Sequence, residues 1–295
     1  MITTSFHALP SLMTLYTKAL FKRNHKQLTA LPALTLKVRD FAINTMQFNQ
    51  YMESFGFEDD RKTPAPFFYL ATQTSQLYLL TQSQFPLSPA GLVHLGVSFE
   101  QQEALLSKEW SHSPAGNYIV MSIVNQRDSK KGLVFDIETE FYGPGKTACL
   151  KIINTYLARA IKGKSDENLP VLCEFNHEMN GDEPSMDLAI TLNPHAGKRY
   201  ARLSGDYNPI HLWRFTAKLF GFKRPIIHGI FLVSKAYEQL HNNLDGAPKM
   251  GVFQFKSPFY LPGMGQLSIY KEGQETVIQV HSAGQSHLHG KVELS

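Results

Sequence analysis

The clearest periodic stretch runs from Pro225 to Leu240, where Ile230, Leu232, Val233, Ala236, Tyr237 and Leu240 recur at a spacing of about 3.6 and predict a buried helix. Pro225 marks its start, with His228-Gly229 near the first turn. Upstream, residues 31–38 alternate and read as a strand, and Asn44 to Phe57 reads as a helix that stops at Gly56. The run from Thr63 to Leu80 continues into a second apolar helix. Strands follow at 91–99, 118–125 and 133–141, with 128–132 as the turn between the last two, and at 149–161. The closing strands are 251–255, 265–271, 276–282 and 287–294, with turns at Gly273 and Ala283-Gly284. Before all of these, residues 11–27 form a basic amphipathic stretch that either lies on a membrane surface or, as is commoner, packs its Leu12, Leu15, Ala19 and Leu20 face on the domain that follows.

Two observations divide the chain. Residues 162–170, polar and punctuated by Gly163 and Pro170, read as a linker between an N-terminal domain, 1–162, and a C-terminal domain, 170–295. A weak internal repeat accompanies it. Phe55-Gly56-Phe57 before Pro64 echoes Phe220-Gly221-Phe222 before Pro225, and Leu95-Gly96-Val97 echoes Met250-Gly251-Val252. Each half thus predicts a helix wrapped by an antiparallel sheet, an α+β architecture in two copies.

Composition narrows the function classes. Of the 295 residues, 43% are hydrophobic and 18% charged, which suits a globular chain with a sizeable core. Net charge is only +4 and no dense Lys/Arg block occurs, which argues against nucleic acid as a partner. Cys149 and Cys173 lack metal or disulfide spacing and fit a reducing, cytoplasmic setting. No apolar run is long enough to span a bilayer, so no stable membrane insertion is expected. The N-terminal stretch lacks the uninterrupted apolar core and cleavage site of a signal peptide.

The chemistry concentrates in residues 199–240. Ser204-Gly205-Asp206-Tyr207-Asn208-Pro209 is a polar loop that reaches His211, with Gly205 permitting unusual backbone angles and Pro209 fixing φ. A carboxylate and an imidazole held on so shaped a segment can share a water and divide acid and base roles. Asn208 suits holding the loop through its amide. Gly229, near a helix N-terminus, offers an N–H without an intrahelical partner and no Cβ to block an approaching ligand. His281, His287 and His289 have no third ligand at metal spacing, and no metal is expected.

Tyr200, Ser204-Gly205-Asp206, Asn208-Pro209, His211 and residues 224–229 (Arg-Pro-Ile-Ile-His-Gly) together resemble the motif of the MaoC-like (R)-specific enoyl-CoA hydratases, which are hotdog-fold proteins. The resemblance extends over most of the chain to the two-domain, double-hotdog dehydratases, although its specific part is residues 199–240. It implies Asp206 and His211 as the catalytic pair and the Gly229 N–H as donor to a thioester oxygen. It further implies reversible syn hydration of a trans-2-enoyl thioester, without metal or redox cofactor. The substrate would be an acyl-CoA or acyl-carrier-protein thioester, with Asn208, His228, Tyr237 and Phe68 as candidate substrate-binding residues. In the first half the positions of His228 and Gly229 fall near Phe67 and Phe68, and no Asp-x-Asn-Pro-x-His precedes residue 150, so that half is a degenerate copy and one active site is expected. Dehydration of a 3-hydroxyacyl carrier protein and non-catalytic acyl-thioester binding are the rival readings. Either a monomer or a homodimer fits two fused hotdogs.

Overall fold

The computed structural model describes residues 2–6, 9–24, 30–58, 63–102, 109–110, 116–144, 147–163, 165–174, 183–243, 248–272 and 275–294. The chain divides into two compact units, Met1–Thr45 with Arg61–Pro170 and Met46–Asp60 with Val171–Ser295.

The first unit holds strands β1 (Ile2–Phe6), β2 (Leu34–Arg39), β3 (Leu92–Gln101), β4 (Tyr118–Ser129), β5 (Gly132–Tyr142) and β6 (Ala148–Ala158), in the order β1-β2-β4-β5-β6-β3. Neighbours are antiparallel except β1, which runs parallel to β2 and has no alternation in sequence to announce it. The β4–β5 hairpin closes on the pair Ser129–Gly132, so the turn is shorter than 128–132 and Asp128 still pairs with Leu133. Ser129 Oγ donates to the Gly132 carbonyl at 2.8 Å and fastens it.

Helices also belong to this unit. Helix α1 (Leu12–Phe21) is capped by Ser11, whose Oγ accepts from Thr14 N, and it buries Leu15 and Ala19 as it packs on the helix Gln73–Thr81. Leu20 does not share that face. It lies about 100° around the helix from Ala19 and is 74% exposed. The long apolar helix expected over 63–80 is broken at Thr72 into α3 (Ala65–Ala71) and α4 (Gln73–Thr81), where Thr72 Oγ1 bonds the Tyr69 carbonyl. Phe67 and Phe68 are fully buried there, Phe68 lying edge-on to Trp110 and Phe141.

The second unit repeats the strand pattern. Strands β7 (Met186–Leu192), β8 (Pro248–Phe255), β9 (Gly263–Glu272), β10 (Glu275–Ser282) and β11 (Gln285–Leu294) lie in the order β8-β11-β10-β9-β7, every pair antiparallel. Read from β7, that is the order of β2-β4-β5-β6-β3 in the first unit, the sheet counterpart of the weak sequence repeat. The turn between β10 and β11 is Ala283-Gly284, both at positive φ as a two-residue hairpin requires. The turn expected at Gly273, and residues 176–182 of the polar stretch before β7, lie outside the described residues.

Three short helices and one long one dress this sheet: α2 (Thr45–Phe55), α5 (Ala196–Ser204), α6 (Arg214–Leu219) and α7 (Gly229–Asn243). Helix α7 packs on β8 and β11 and buries all six positions its periodicity assigned to the core. A helix on an antiparallel sheet in this strand order is the hotdog arrangement. Pro225 is not the helix start. Residues 226–227 are bonded sideways, Ile226 N to the Ile210 carbonyl and Ile227 N to the Phe259 carbonyl, so the helix waits until Gly229.

Helix α2, early in sequence, belongs to this second unit. Gln47 Nε2 donates to the Leu203 carbonyl at 2.7 Å, Lys235 Nζ to the Phe55 carbonyl at 3.1 Å, and Asn242 Nδ2 to the Gly56 carbonyl at 2.7 Å. Phe55 packs against Tyr200 and Phe231, with centroids 6.2 and 5.2 Å away. Its contacts therefore fall on α5 and α7, the two helices that flank the candidate chemistry.

Candidate active site

The loop after α5 is built by side chains that imitate backbone turns. Helix α5 stops at Gly205, whose φ of +76° is left-handed and whose N–H still reaches the Ala201 carbonyl. Ser204 Oγ donates to the Tyr200 carbonyl and accepts from Asp206 N at 3.1 Å. Asp206 Oδ1 accepts from Asn208 N at 3.1 Å, and Asn208 Oδ1 from Ile210 N at 3.4 Å. Pro209 then opens a single 3-10 turn that ends at His211. Gly197 lets α5 approach that turn closely, since a Cβ there would lie 2.3 Å from the His211 carbonyl oxygen. Asn208 thus shapes the loop with its side-chain carbonyl oxygen.

His211 and His228 are fixed by backbone carbonyls. His211 Nδ1 lies 2.8 Å from the Ile226 carbonyl oxygen, which can only accept, so Nδ1 carries the proton and Nε2 the lone pair. His228 Nε2 lies 3.0 Å from the Asp206 carbonyl oxygen and donates to it, while its buried Nδ1 has no hydrogen-bond partner among the described residues. The two rings stack with centroids 3.6 Å apart, and Tyr200 lies against His228 at 4.8 Å. Burial pushes the His211 imidazolium pKa below its ordinary range, against the opposing pull of the Asp206 carboxylate and the Ile226 bond. For His228, burial and then the neighbouring His211 push it well below. Both rings are therefore neutral bases at neutral pH.

Asp206 completes the group. Its Oδ2 is 3.9 Å from His228 Nε2, and the ligand-capable atoms of Asp206, His211 and His228 all lie within 4.8 Å of one another. Such a trio has the composition of a metal site. Its stacked imidazoles, however, have planes only 24° apart, so their in-plane lone pairs do not converge as two ligands of one ion would. The arrangement suits proton transfer by Asp206 and the His211 Nε2 lone pair.

Gly229 is the first residue of α7, where N–H groups have no carbonyl one turn back. A Cβ there would lie 2.5–2.7 Å from three ring atoms of Phe255, so only glycine fits without displacing that ring. Asp206, Asn208, His211, His228 and Gly229 are thus gathered by one loop and one helix start. Tyr237 lies farther along α7, 3% exposed and packed on Phe253. Phe68 sits in the core of the first unit. The stack of His228 on His211 was not legible from spacing, because the residues are seventeen apart and are brought together by the Ile226 carbonyl that His211 bonds.

Residues 176–288 match the model of the MaoC like domain. A 3-hydroxyacyl-thioester dehydratase X of Mycobacterium tuberculosis is 24% identical over 260 residues, 88% of each chain. A peroxisomal enoyl-CoA hydratase 2 of Arabidopsis thaliana is 32% identical over 120 residues, which is 37% of this chain and 38% of that one. The crystal structure of HtdX of Mycobacterium tuberculosis superposes with a TM-score of 0.70 at 22% identity, covering 88% of this chain and 100% of that one. The loop, both histidines and the start of α7 all fall inside the segment that matches the MaoC like domain, and the chain shares the hotdog fold of that solved structure.

Proposed function

We propose that the protein is a hydro-lyase that adds water reversibly to a trans-2-enoyl thioester to give the (R)-3-hydroxyacyl thioester. The observation that carries this reading is the His211 tautomer. With Nδ1–H held by the Ile226 carbonyl, Nε2 keeps the lone pair, and His211 and Asp206 each place a ligand-capable atom within 4.8 Å of the other's. Asp206 and His211 orient one water; as its oxygen bonds to C3, one of its protons passes to the pair. The electron pair of the C2–C3 double bond moves toward the thioester carbonyl, whose oxygen accepts from the Gly229 N–H. The pair then returns a proton to C2 on the same face, so one water is consumed and the protein ends as it began. The relatives named for hydration and dehydration of acyl thioesters support this substrate class.

Only the second unit has these groups, so we assign one active site per chain, with the first unit as a degenerate copy and the second, residues 46–60 with 171–295, as the catalytic one. Cys149 and Cys173 are buried thiols, which fits a cytoplasmic protein, working as monomer or homodimer. The test is the loss of enoyl-thioester absorbance with crotonyl-CoA and a medium-chain enoyl-CoA. Asp206→Asn and His211→Ala should each lower kcat by about a hundredfold or more. Turnover that survives both substitutions would end the reading.

A further inference from the structure

Between Leu188 and Tyr237 the sequence has eight Lys and Arg residues and a single carboxylate, Asp206, although the whole chain is only +4. The same stretch exposes its large apolar side chains. Trp213, Phe215, Leu219 and Phe220 are 54, 72, 69 and 42% exposed. Helix α6 explains how. It turns Ala217 inward and is tied to the catalytic loop by Thr216 Oγ1, which donates to the Pro209 carbonyl at 2.7 Å. Phe215 and Leu219, one turn apart, are left outward, with Arg214 and Lys218 beside them. Lys198 Nζ lies 5.3 Å from the Trp213 ring, and Lys223 and Arg224 are exposed just beyond. Monomeric surfaces rarely hold so many large apolar groups together.

We propose that this face of the second unit adsorbs to an anionic lipid surface, with Trp213, Phe215, Leu219 and Phe220 entering the headgroup boundary and the surrounding cations meeting lipid phosphates. A second copy of the chain is disfavoured as occupant, because pairing the patch with itself would bring like charges together. Aromatic and aliphatic tips ringed by Lys and Arg are the composition of an interfacial anchor. The exposed side of α1 has it as well, with Met13, Leu20 and Phe21 at 74–76% exposure beside Lys18. This inference stands apart from the proposed chemistry.

Trp213 makes the test direct, because the other tryptophan, Trp110, is 3% exposed and silent to the surroundings. The full chain is mixed at low and high salt with vesicles of phosphatidylcholine alone or of phosphatidylcholine with phosphatidylserine. Cosedimentation and a blue shift of Trp213 emission are expected with the anionic vesicles at low salt. Each cation near an anionic bilayer multiplies partitioning about fivefold, so a Lys218→Glu, Lys223→Glu, Arg224→Glu variant should bind at least about a hundredfold less. Phe215→Ser with Leu219→Ser should abolish the blue shift while leaving the circular dichroism and melting temperature unchanged. Failure to bind anionic vesicles, or binding indifferent to both sets of substitutions, overturns the proposal. So does self-association that the Phe215/Leu219 variant removes, or retention of the patch by an acidic carrier protein without any vesicle binding.

Discussion

His211 and His228 lie face to face, ring centroids 3.6 Å apart and planes 24° from parallel, each anchored to a carbonyl contributed by the other's segment. Ile226, two residues before His228, receives the His211 proton donor; Asp206, five residues before His211, receives that of His228. The two segments are cross-tied, and neither imidazole can turn without breaking a bond to the other's backbone.

His228 therefore positions His211 and Asp206 without needing to touch substrate. His228→Phe keeps a flat ring in the stack and removes the bond to the Asp206 carbonyl. It should lower kcat by about tenfold to a hundredfold, since a group held out of place by an ångström loses that much, and leave KM nearly unchanged. Steady-state kinetics on one enoyl-CoA decide it. An equal loss in KM would place His228 on the substrate instead.

Both buried imidazoles have depressed pKa values in the folded chain. Below pH 6.5 the unfolded chain binds protons that the folded site resists, so their contribution to stability is complete above that pH and is lost as pH falls toward the folded pKa values. Urea midpoints should thus decline from pH 7.5 to pH 5, and His228→Gln should decline less steeply across the same range. The same depression extends the base form of His211 downward, so kcat/KM should hold to a pH below 6.5 before it falls.

Gly229→Ala introduces a methyl group 2.5 Å from Phe255 Cε1. The ring must move, at a cost of about 1–3 kcal/mol, and the start of α7 shifts with it. Melting temperature and kcat should both fall. Adding Phe255→Leu relieves the overlap and should restore most of the melting temperature. If it restores kcat as well, the N–H at this position is tolerant of substitution and the loss came only from crowding.

Helix α2 supports the same site from behind. Phe55 leans on Tyr200, Tyr200 on His228, and His228 on His211, while Gln47 holds the Leu203 carbonyl at the end of α5. Phe55→Ala should cost about 3–5 kcal/mol as a buried ring is removed, and Gln47→Ala about 1 kcal/mol for one hydrogen bond. Both should lower kcat; Phe55→Leu, which refills most of the volume, should recover it.

The legible parts of the fold were those written in local periodicity. The buried face of α7, the β4–β5 and β10–β11 hairpins and the stop at Gly56 all follow from spacing and from glycine at positive φ. The candidate pair was legible because Gly205, Asn208 and Pro209 mark the loop that holds it. What sequence concealed was non-local. The parallel pairing of β1 depends on a partner thirty residues away, the delayed start of α7 on lateral bonds to Ile210 and Phe259, and the seating of α2 on α5 and α7 rather than among its sequence neighbours.

That seating bears on how the chain comes into being. Helix α2 is synthesised long before the segment that receives its apolar side, so Phe48, Tyr51, Met52 and Phe55 must wait, uncovered, while the rest of the first unit forms around a gap in its own sequence. A cut in residues 162–170 releases a C-terminal fragment lacking one of its helices, whereas a gap at 59–62 leaves that helix tethered to the wrong piece. The two units are consequently one inheritance: neither can be lost, duplicated or exchanged between genes as a contiguous cassette without parting the second unit from its helix α2.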